Sequence, residues 1–131
     1  MINYDNNILH GLYYKDSEII KNIEFTDLDI RISRMVYLEF NKRTEKEINA
    51  DIRDLRNEFI KQFPIVDINR THDITMEIFN LHNNYLKSKQ VGTLKPKDLI
   101  IALTAKHHNA TLITRDKDFN KVKDYISVKC I

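Results

Sequence analysis

A single cysteine, Cys130, excludes an intramolecular disulfide and any cysteine-rich zinc site. Two glycines and two prolines in 131 residues leave few points of interruption, so short loops and a high helix content are expected. No apolar run is long. Leu99–Ile100–Ile101–Ala102–Leu103 is the strongest and falls far short of a bilayer span, so no membrane association is expected. The opening Met1–Ile2–Asn3–Tyr4–Asp5 has no basic patch followed by an apolar stretch, so no secretory signal is expected either. No repeat, low-complexity tract or linker divides the chain, and its length suits one domain over residues 1–131. What it does hold is 42% hydrophobic and 31% charged residues, enough for a buried core under a solvated surface and too apolar for disorder. A small cytoplasmic domain is the expectation.

The net charge of +2 is unevenly spread. Residues 1–86 carry 11 Lys and Arg against 15 Asp and Glu, whereas residues 87–131 carry 10 against 4. A basic C-terminal third suits a phosphate-rich partner, although lysines that merely solvate the outer faces of helices would read the same way.

The chain alternates between helical and β-prone stretches. Ile48, Ile52, Leu55 and Phe59 are spaced for one face of a helix, behind Thr44 and Glu47 placed as a capping box, and that helix must stop near Pro64. Ile74, Ile78, Leu81 and Tyr85 repeat the spacing in a helix that ends before Gly92. Pro96 opens a further helix to about Asn109, apolar on more than one side and therefore deeply packed. Ser17 can cap a shorter helix through Phe25, and Ser33 another from about Arg34 to Asn41. Between them lie Ile2–Tyr4, Asp29–Ile32, Ile65–Ile68, Thr111–Thr114 and Ile126–Val128, all β-prone. The fold class is therefore α/β: a short parallel sheet of about five strands with helices on both faces. Such sheets bind ligands beyond the carboxyl ends of their strands, where the strand order reverses.

Four acids lie where that rule directs attention. Asp5 directly follows the first strand, Asp116 closely follows the fourth, Glu39 lies about two turns into the helix after the second, and Asp98 is in the first turn of the helix before the fourth. Four converging carboxylates could not all stay ionised without a counter-charge. A divalent cation supplies one, and oxygen ligands without Cys or a His pair favour Mg²⁺ or Mn²⁺ over zinc. Singly, each acid has a plainer explanation: Asp5 and Asp116 as helix caps, Asp98 facing a helix dipole, Glu39 as a surface residue. Spacing alone leaves that choice open.

The motifs around these acids resemble the PIN-domain family. Met1-Ile-Asn-Tyr-Asp-Asn-Asn-Ile-Leu9 looks like its opening strand and first acid, and Ile32-Ser-Arg-Met-Val-Tyr-Leu-Glu-Phe40 is similar to the segment that presents its Glu. Lys97-Asp-Leu-Ile-Ile-Ala-Leu-Thr-Ala105 and Ala110-Thr-Leu-Ile-Thr-Arg-Asp-Lys-Asp-Phe119 resemble its third and fourth acidic motifs, in the same order. The matches run from residue 1 to about 128, and the length resembles the VapC type, the toxin of bacterial toxin–antitoxin pairs. Asn6 departs mildly, standing where Thr or Ser is commoner, and Ile101 occupies a usually smaller site. The resemblance implies a PIN-like fold and a metal-dependent endoribonuclease, with Asp5, Glu39, Asp98 and Asp116 as catalytic and Mg²⁺- or Mn²⁺-binding residues. It assigns supporting positions to Asn7, Thr114 and Asp118, and products with a 5′-phosphate and a 3′-hydroxyl. It also implies a homodimer inhibited by a cognate antitoxin whose C-terminal segment covers the site. The group Ile8, Leu9, Leu12, Tyr13 and Tyr14 would be an apolar patch suited to such a partner, unless it packs internally.

Lys95, Lys97, Arg115 and Lys117 flank the third and fourth acids, and Lys121 and Lys123 follow. Cations beside metal-binding carboxylates are what a site for an RNA phosphodiester requires, so Arg115, Lys117, Lys95 and Lys97 are the candidate RNA-binding residues. Tyr13 and Tyr14 could stack on bases or serve core packing. His107 and His108 end a helix, where their charge suits the dipole better than catalysis; His10, His72 and His82 share no ligand spacing. Two other classes compete with the nuclease. A catalytically silent PIN-like RNA- or protein-binding module is opposed by the presence of all four acids. A phosphotransfer domain with Asp5 as nucleophile usually needs an Asp two residues on, where this chain has Asn7.

Overall fold

A computed structural model of the chain describes residues 1–23, 29–68 and 73–131. Five strands, β1 (Ile2–Tyr4), β2 (Ile30–Ser33), β3 (Ile65–Val66), β4 (Thr111–Thr114) and β5 (Ser127–Cys130), form one sheet in the order β3-β2-β1-β4-β5. Every neighbouring pair is parallel, with Asn3 opposite both Arg31 and Leu112. The segments that the sequence marks as β-prone are therefore strands to within a residue or two. The chain winds outward through β2 and β3, then crosses back to place β4 on the free side of β1. Crossovers to the two sides of β1 deliver helices to opposite faces. The switch point lies between β1 and β4, so the crevice opens where Asp5 and Asp116 leave the sheet.

Local chemistry sets most helix starts. Asp5 caps α1 (Asn6–Tyr13), and Ser33 caps α3 (Arg34–Glu45), its Oγ accepting from the Val36 amide at 3.2 Å. α2 (Ser17–Asn22) is capped by Asp16 rather than by Ser17, because the Asp16 carboxylate accepts from both the Glu18 and Ile19 amides. Its expected end at Phe25 lies outside the described residues. α4 (Ala50–Ile60) begins at Asn49, whose Oδ1 accepts from the Asp51 and Ile52 amides. The expected Thr44–Glu47 capping box does not form. Thr44 is buried in the last turn of α3, where it donates to the Phe40 carbonyl and accepts from Arg56 Nε at 2.9 Å. α5 (Ile74–Phe79) passes into a π-helical stretch, Asn80–Leu86, and then α6 (Lys87–Lys89). The wider π turn brings Leu81 and Leu86, five residues apart, both into the core. α7 (Pro96–His107) is deeply packed, with Asp98, Leu99 and five residues from Ile101 to Ala105 buried. A 3₁₀ turn, Lys117–Val122, follows β4.

Of the apolar stripe that the spacing indicates for α4, only Phe59 turns inward, packing on the Phe40 and Phe63 rings. Arg56 and Ile60 are the buried residues of the helix, while Ile48 and Leu55 are 95% and 62% exposed and Ile52 is also exposed. Arg56 repays burial by geometry: its guanidinium lies 4.1 Å from the Phe40 ring centroid and donates to the Phe40 carbonyl and Thr44. No helix among the described residues is long and apolar enough to cross a membrane.

Candidate active site

The four acids come together at the predicted edge. One cleft of about 350 Å³ is lined by Asp5, Asn6, Asn7, His10, Glu39, Arg43, Lys95, Lys97, Asp98 and Asp116. Strand β1 delivers Asp5, and its backbone amide is held by the Ile113 carbonyl of β4 at 2.9 Å. α3 delivers Glu39, the first turn of α7 delivers Asp98, and the turn after β4 delivers Asp116.

Asp5 is the most constrained. Its Oδ1 accepts from the Asn6 amide at 2.7 Å, and its Oδ2 accepts from Thr114 Oγ1 at 2.7 Å and from Asn7 Nδ2 at 3.3 Å. Thr114 is fully buried, and its Oγ1 also accepts the Asp116 amide at 3.0 Å. One hydroxyl thus joins the first acid to the backbone of the fourth. Asn7 Oδ1 accepts the Arg115 amide at 3.0 Å, which fixes the turn that carries Asp116. Asp116 in turn caps the 3₁₀ turn through the Asp118 amide.

Burial and like charge act on this cluster. Burial raises the pKa of Asp5, the bonds from Thr114 and Asn6 oppose it, and Glu39 and Asp116 add repulsion. Asp98 is pushed up to about 6, first by burial and then by Asp5, with Lys97 opposing and Asp116 and Glu39 adding to the rise. His10 at the cleft wall is lowered to about 4 by burial, with Arg43 and Arg56 adding to it, so it lines the site as a neutral ring.

Other predicted residues divide. Lys95 and Lys97 line the cleft, and Lys97 Nζ lies 2.8 Å from Glu39 Oε1. Arg115 turns away toward α2, pairing with Asp16 at 3.2 Å and Glu18 at 3.5 Å. Lys117 is exposed and does not line the cleft. Asp118 does not join the carboxylates either; its Oδ1 lies 3.4 Å from Lys121 Nζ. His107 is paired with Glu77, and His108 Nε2 lies 2.6 Å from the Asp67 carbonyl, both away from the cleft; His72 lies outside the described residues. The sequence reading missed Lys42, Arg43 and Lys46. They line an adjoining hollow of about 580 Å³ with Met35, Leu38, Glu39 and Lys97. Their spacing from Glu39, three, four and seven residues along α3, is the signal that would have found them.

An all-oxygen donor set of this kind fits a hard divalent cation. Glu39 Oε1 is buried with a cation, the Lys97 ammonium, as its partner, a place that a divalent ion would equally suit. As the side chains stand, no three acids or imidazoles among the described residues are close enough to hold an ion together. Glu39 is turned toward Lys97, and the remaining carboxylates carry mutual repulsion that an ion would relieve.

Residues 4–125 match the profile of the family described as PIN domain. Comparison with curated protein sequences gives no match. Among solved structures, VapBC2 from Rickettsia felis, bound to a DNA fragment from its promoter, superposes with a TM-score of 0.78 at 23% identity, covering 100% of this chain and 99% of that one. A toxin–antitoxin complex from Klebsiella pneumoniae gives 0.69 at 27% identity over 91% and 90%. VapBC-1 from nontypeable Haemophilus influenzae gives 0.75 at 23% over 99% and 98%.

Proposed function

The chain belongs to the PIN domain family, and on that premise we propose that it is a VapC-type toxin: a Mg²⁺- or Mn²⁺-dependent endoribonuclease paired with a protein antitoxin. The observation that carries this reading is the convergence of Asp5, Glu39, Asp98 and Asp116 on one cleft at the switch point of the sheet. Asp5, Glu39, Asp98 and Asp116 are the residues that would hold the ion. A divalent cation bound there supplies a water of lowered pKa and a counter-charge for the phosphoryl oxygens. Thr114 and Asn7 hold the Asp5 carboxylate in one orientation, so that it needs little rearrangement to act. Lys95, with Lys42, Arg43 and Lys46 along α3, gives the RNA backbone a cationic approach to the carboxylates. The basic path therefore runs along α3 and the start of α7, more than through Arg115 and Lys117. No protein nucleophile is required.

The partner expectation changes its address. Ile8 and Leu9 are wholly buried, and Leu12 and Tyr13 are largely covered, so that group is core; within it only Tyr14, 58% exposed, is open. Exposed apolar surface lies instead along Ile52 and Leu55 of α4 with Ile48 just before it, and in a groove of about 470 Å³ lined in part by Met35, Leu38, Ile68, Ile74 and Ile100. Two separate apolar surfaces suit two protein contacts, an amphipathic antitoxin segment on α4 and a second copy of the chain at the groove. A single domain working as a dimer in the cytoplasm is the corresponding form.

The test is cleavage of RNA by the purified chain with Mg²⁺ or Mn²⁺, by Asp5→Asn and Asp116→Asn, and with EDTA. Cleavage is expected only for the unsubstituted chain with metal. A folded chain that binds neither metal nor cuts RNA would favour the silent binding module.

A further inference from the structure

The cations around the carboxylates are not equivalent. Arg115 is committed to Asp16 and Glu18, and Arg43 lies over the Tyr14 ring. Lys97 alone among the described cations has its ammonium in ion-pair contact with one of the four acids, 2.8 Å from Glu39 Oε1. It sits on the first turn of α7, one residue before Asp98, so its backbone is anchored while its half-exposed stem is free to swing. Three acids act on its charge: Glu39 first, then Asp98 and Asp5. Glu39 Oε1 is buried and meets the ammonium at 2.8 Å, so Lys97 is its compensation.

We propose that Lys97 is a positioning residue that sets the affinity of the carboxylate cluster for its divalent ion, by neutralising Glu39 until the ion displaces it. This rests on the metal-dependent reading above. One carboxylate oxygen cannot serve an ammonium and a dication together, because the two cations repel at that range. An ion seated on Oε1 therefore takes that oxygen from Lys97. Once displaced, the ammonium remains at the mouth of the cleft, free to meet an RNA phosphate. The chain so carries its own monovalent stand-in, and the cluster is charge-compensated in both states.

The experiment needs no catalysis. Mn²⁺ binding is titrated calorimetrically, without RNA, on the unsubstituted chain, Lys97→Met and Lys97→Arg, and each is melted in EDTA and in saturating Mn²⁺. Lys97→Met removes the competitor and its repulsion while keeping the stem, so it should bind Mn²⁺ about tenfold more tightly. Lys97→Arg should restore the original affinity. Lys97→Met should melt lower than the unsubstituted chain in EDTA and level with it in saturating Mn²⁺. Equal or weaker Mn²⁺ binding by Lys97→Met, or an equal loss of melting temperature in both conditions, would overturn the role given to Lys97 and leave the metal site standing. Absence of Mn²⁺ binding by the unsubstituted chain would overturn the metal reading and this inference with it.

Discussion

Replacing Asp98 by Asn should make the metal-free protein more stable, although it removes one of the four carboxylates proposed to hold the ion. Asp98 is buried at the start of α7, and its pKa stands at about 6 against an ordinary value of 3.8. Burial is the main cause, and repulsion from Asp5, Asp116 and Glu39 outweighs the help of Lys97. Folding therefore favours the protonated carboxyl. That contribution is fully present below 3.8 and is lost as the pH rises through 6, so at pH 7 the ionised group works against the fold. At about 1.4 kcal/mol per unit, the penalty is at most about 3 kcal/mol. The cleft is open to water and the new amide needs partners, so about 1–3 kcal/mol is the expected gain. For a chain of this length, that raises the melting temperature by about 3–10 °C. Thermal melts in EDTA between pH 4.5 and 7.5 read it directly. Neutral His10 adds stability as the pH rises over much of the same window, so the readout is the difference between the two proteins: the advantage of Asp98→Asn over the unsubstituted protein should grow from pH 4.5 to 7.5. A variant that melts lower at pH 7, or that follows the same pH slope, would refute the account of the acidic cluster.

Thr114→Val keeps the buried shape but removes the hydroxyl that joins Asp5 to the Asp116 amide; we expect about 1–2 kcal/mol lost in denaturant unfolding. The same change removes a bond that lowers the Asp5 pKa, so the acid limb of the cleavage profile should move to higher pH; an unmoved limb would place Asp5 outside the chemistry. Leu55→Glu on the exposed stripe of α4 should leave melting within about 0.5 kcal/mol, yet weaken capture of an amphipathic antitoxin segment in a pull-down or titration. Unchanged capture would move that contact elsewhere.

The strands were readable because Ile2–Tyr4, Ile65–Val66 and Thr111–Thr114 are β-branched or aromatic-rich runs between helix signals, and their order placed the switch point beside Asp5 and Asp116. Caps that depend on adjacent backbone, such as Ser33, were equally readable. Thr44 was not, because its use is decided by Arg56, twelve residues away on another helix. The α4 stripe shows the limit of periodicity. Ile48, Ile52 and Leu55 declare an apolar face without saying whether this chain or another covers it, and the buried face holds an arginine that spacing rules would put in water. Charge counting pointed to the C-terminal third, but sequence proximity to an acid does not orient a side chain. Arg115 follows Thr114 directly and still points at α2, whereas Arg43 reaches the cleft from α3. The pairing of Lys97 with Glu39 joins residues far apart in sequence and is invisible until α3 and α7 pack together.

The claim at the centre is that water, activated at the carboxylate cluster, is the nucleophile on an RNA phosphodiester. Cleavage of a short RNA in ¹⁸O-labelled water, with Mg²⁺ and product masses read by mass spectrometry, tests it. The expected fragments carry a 5′-phosphate that has gained one ¹⁸O and a 3′-hydroxyl on the other side, with no product from Asp5→Asn. Fragments ending in a 2′,3′-cyclic phosphate and an unlabelled 5′-hydroxyl would show that the RNA's own 2′-hydroxyl attacks, and would contradict it.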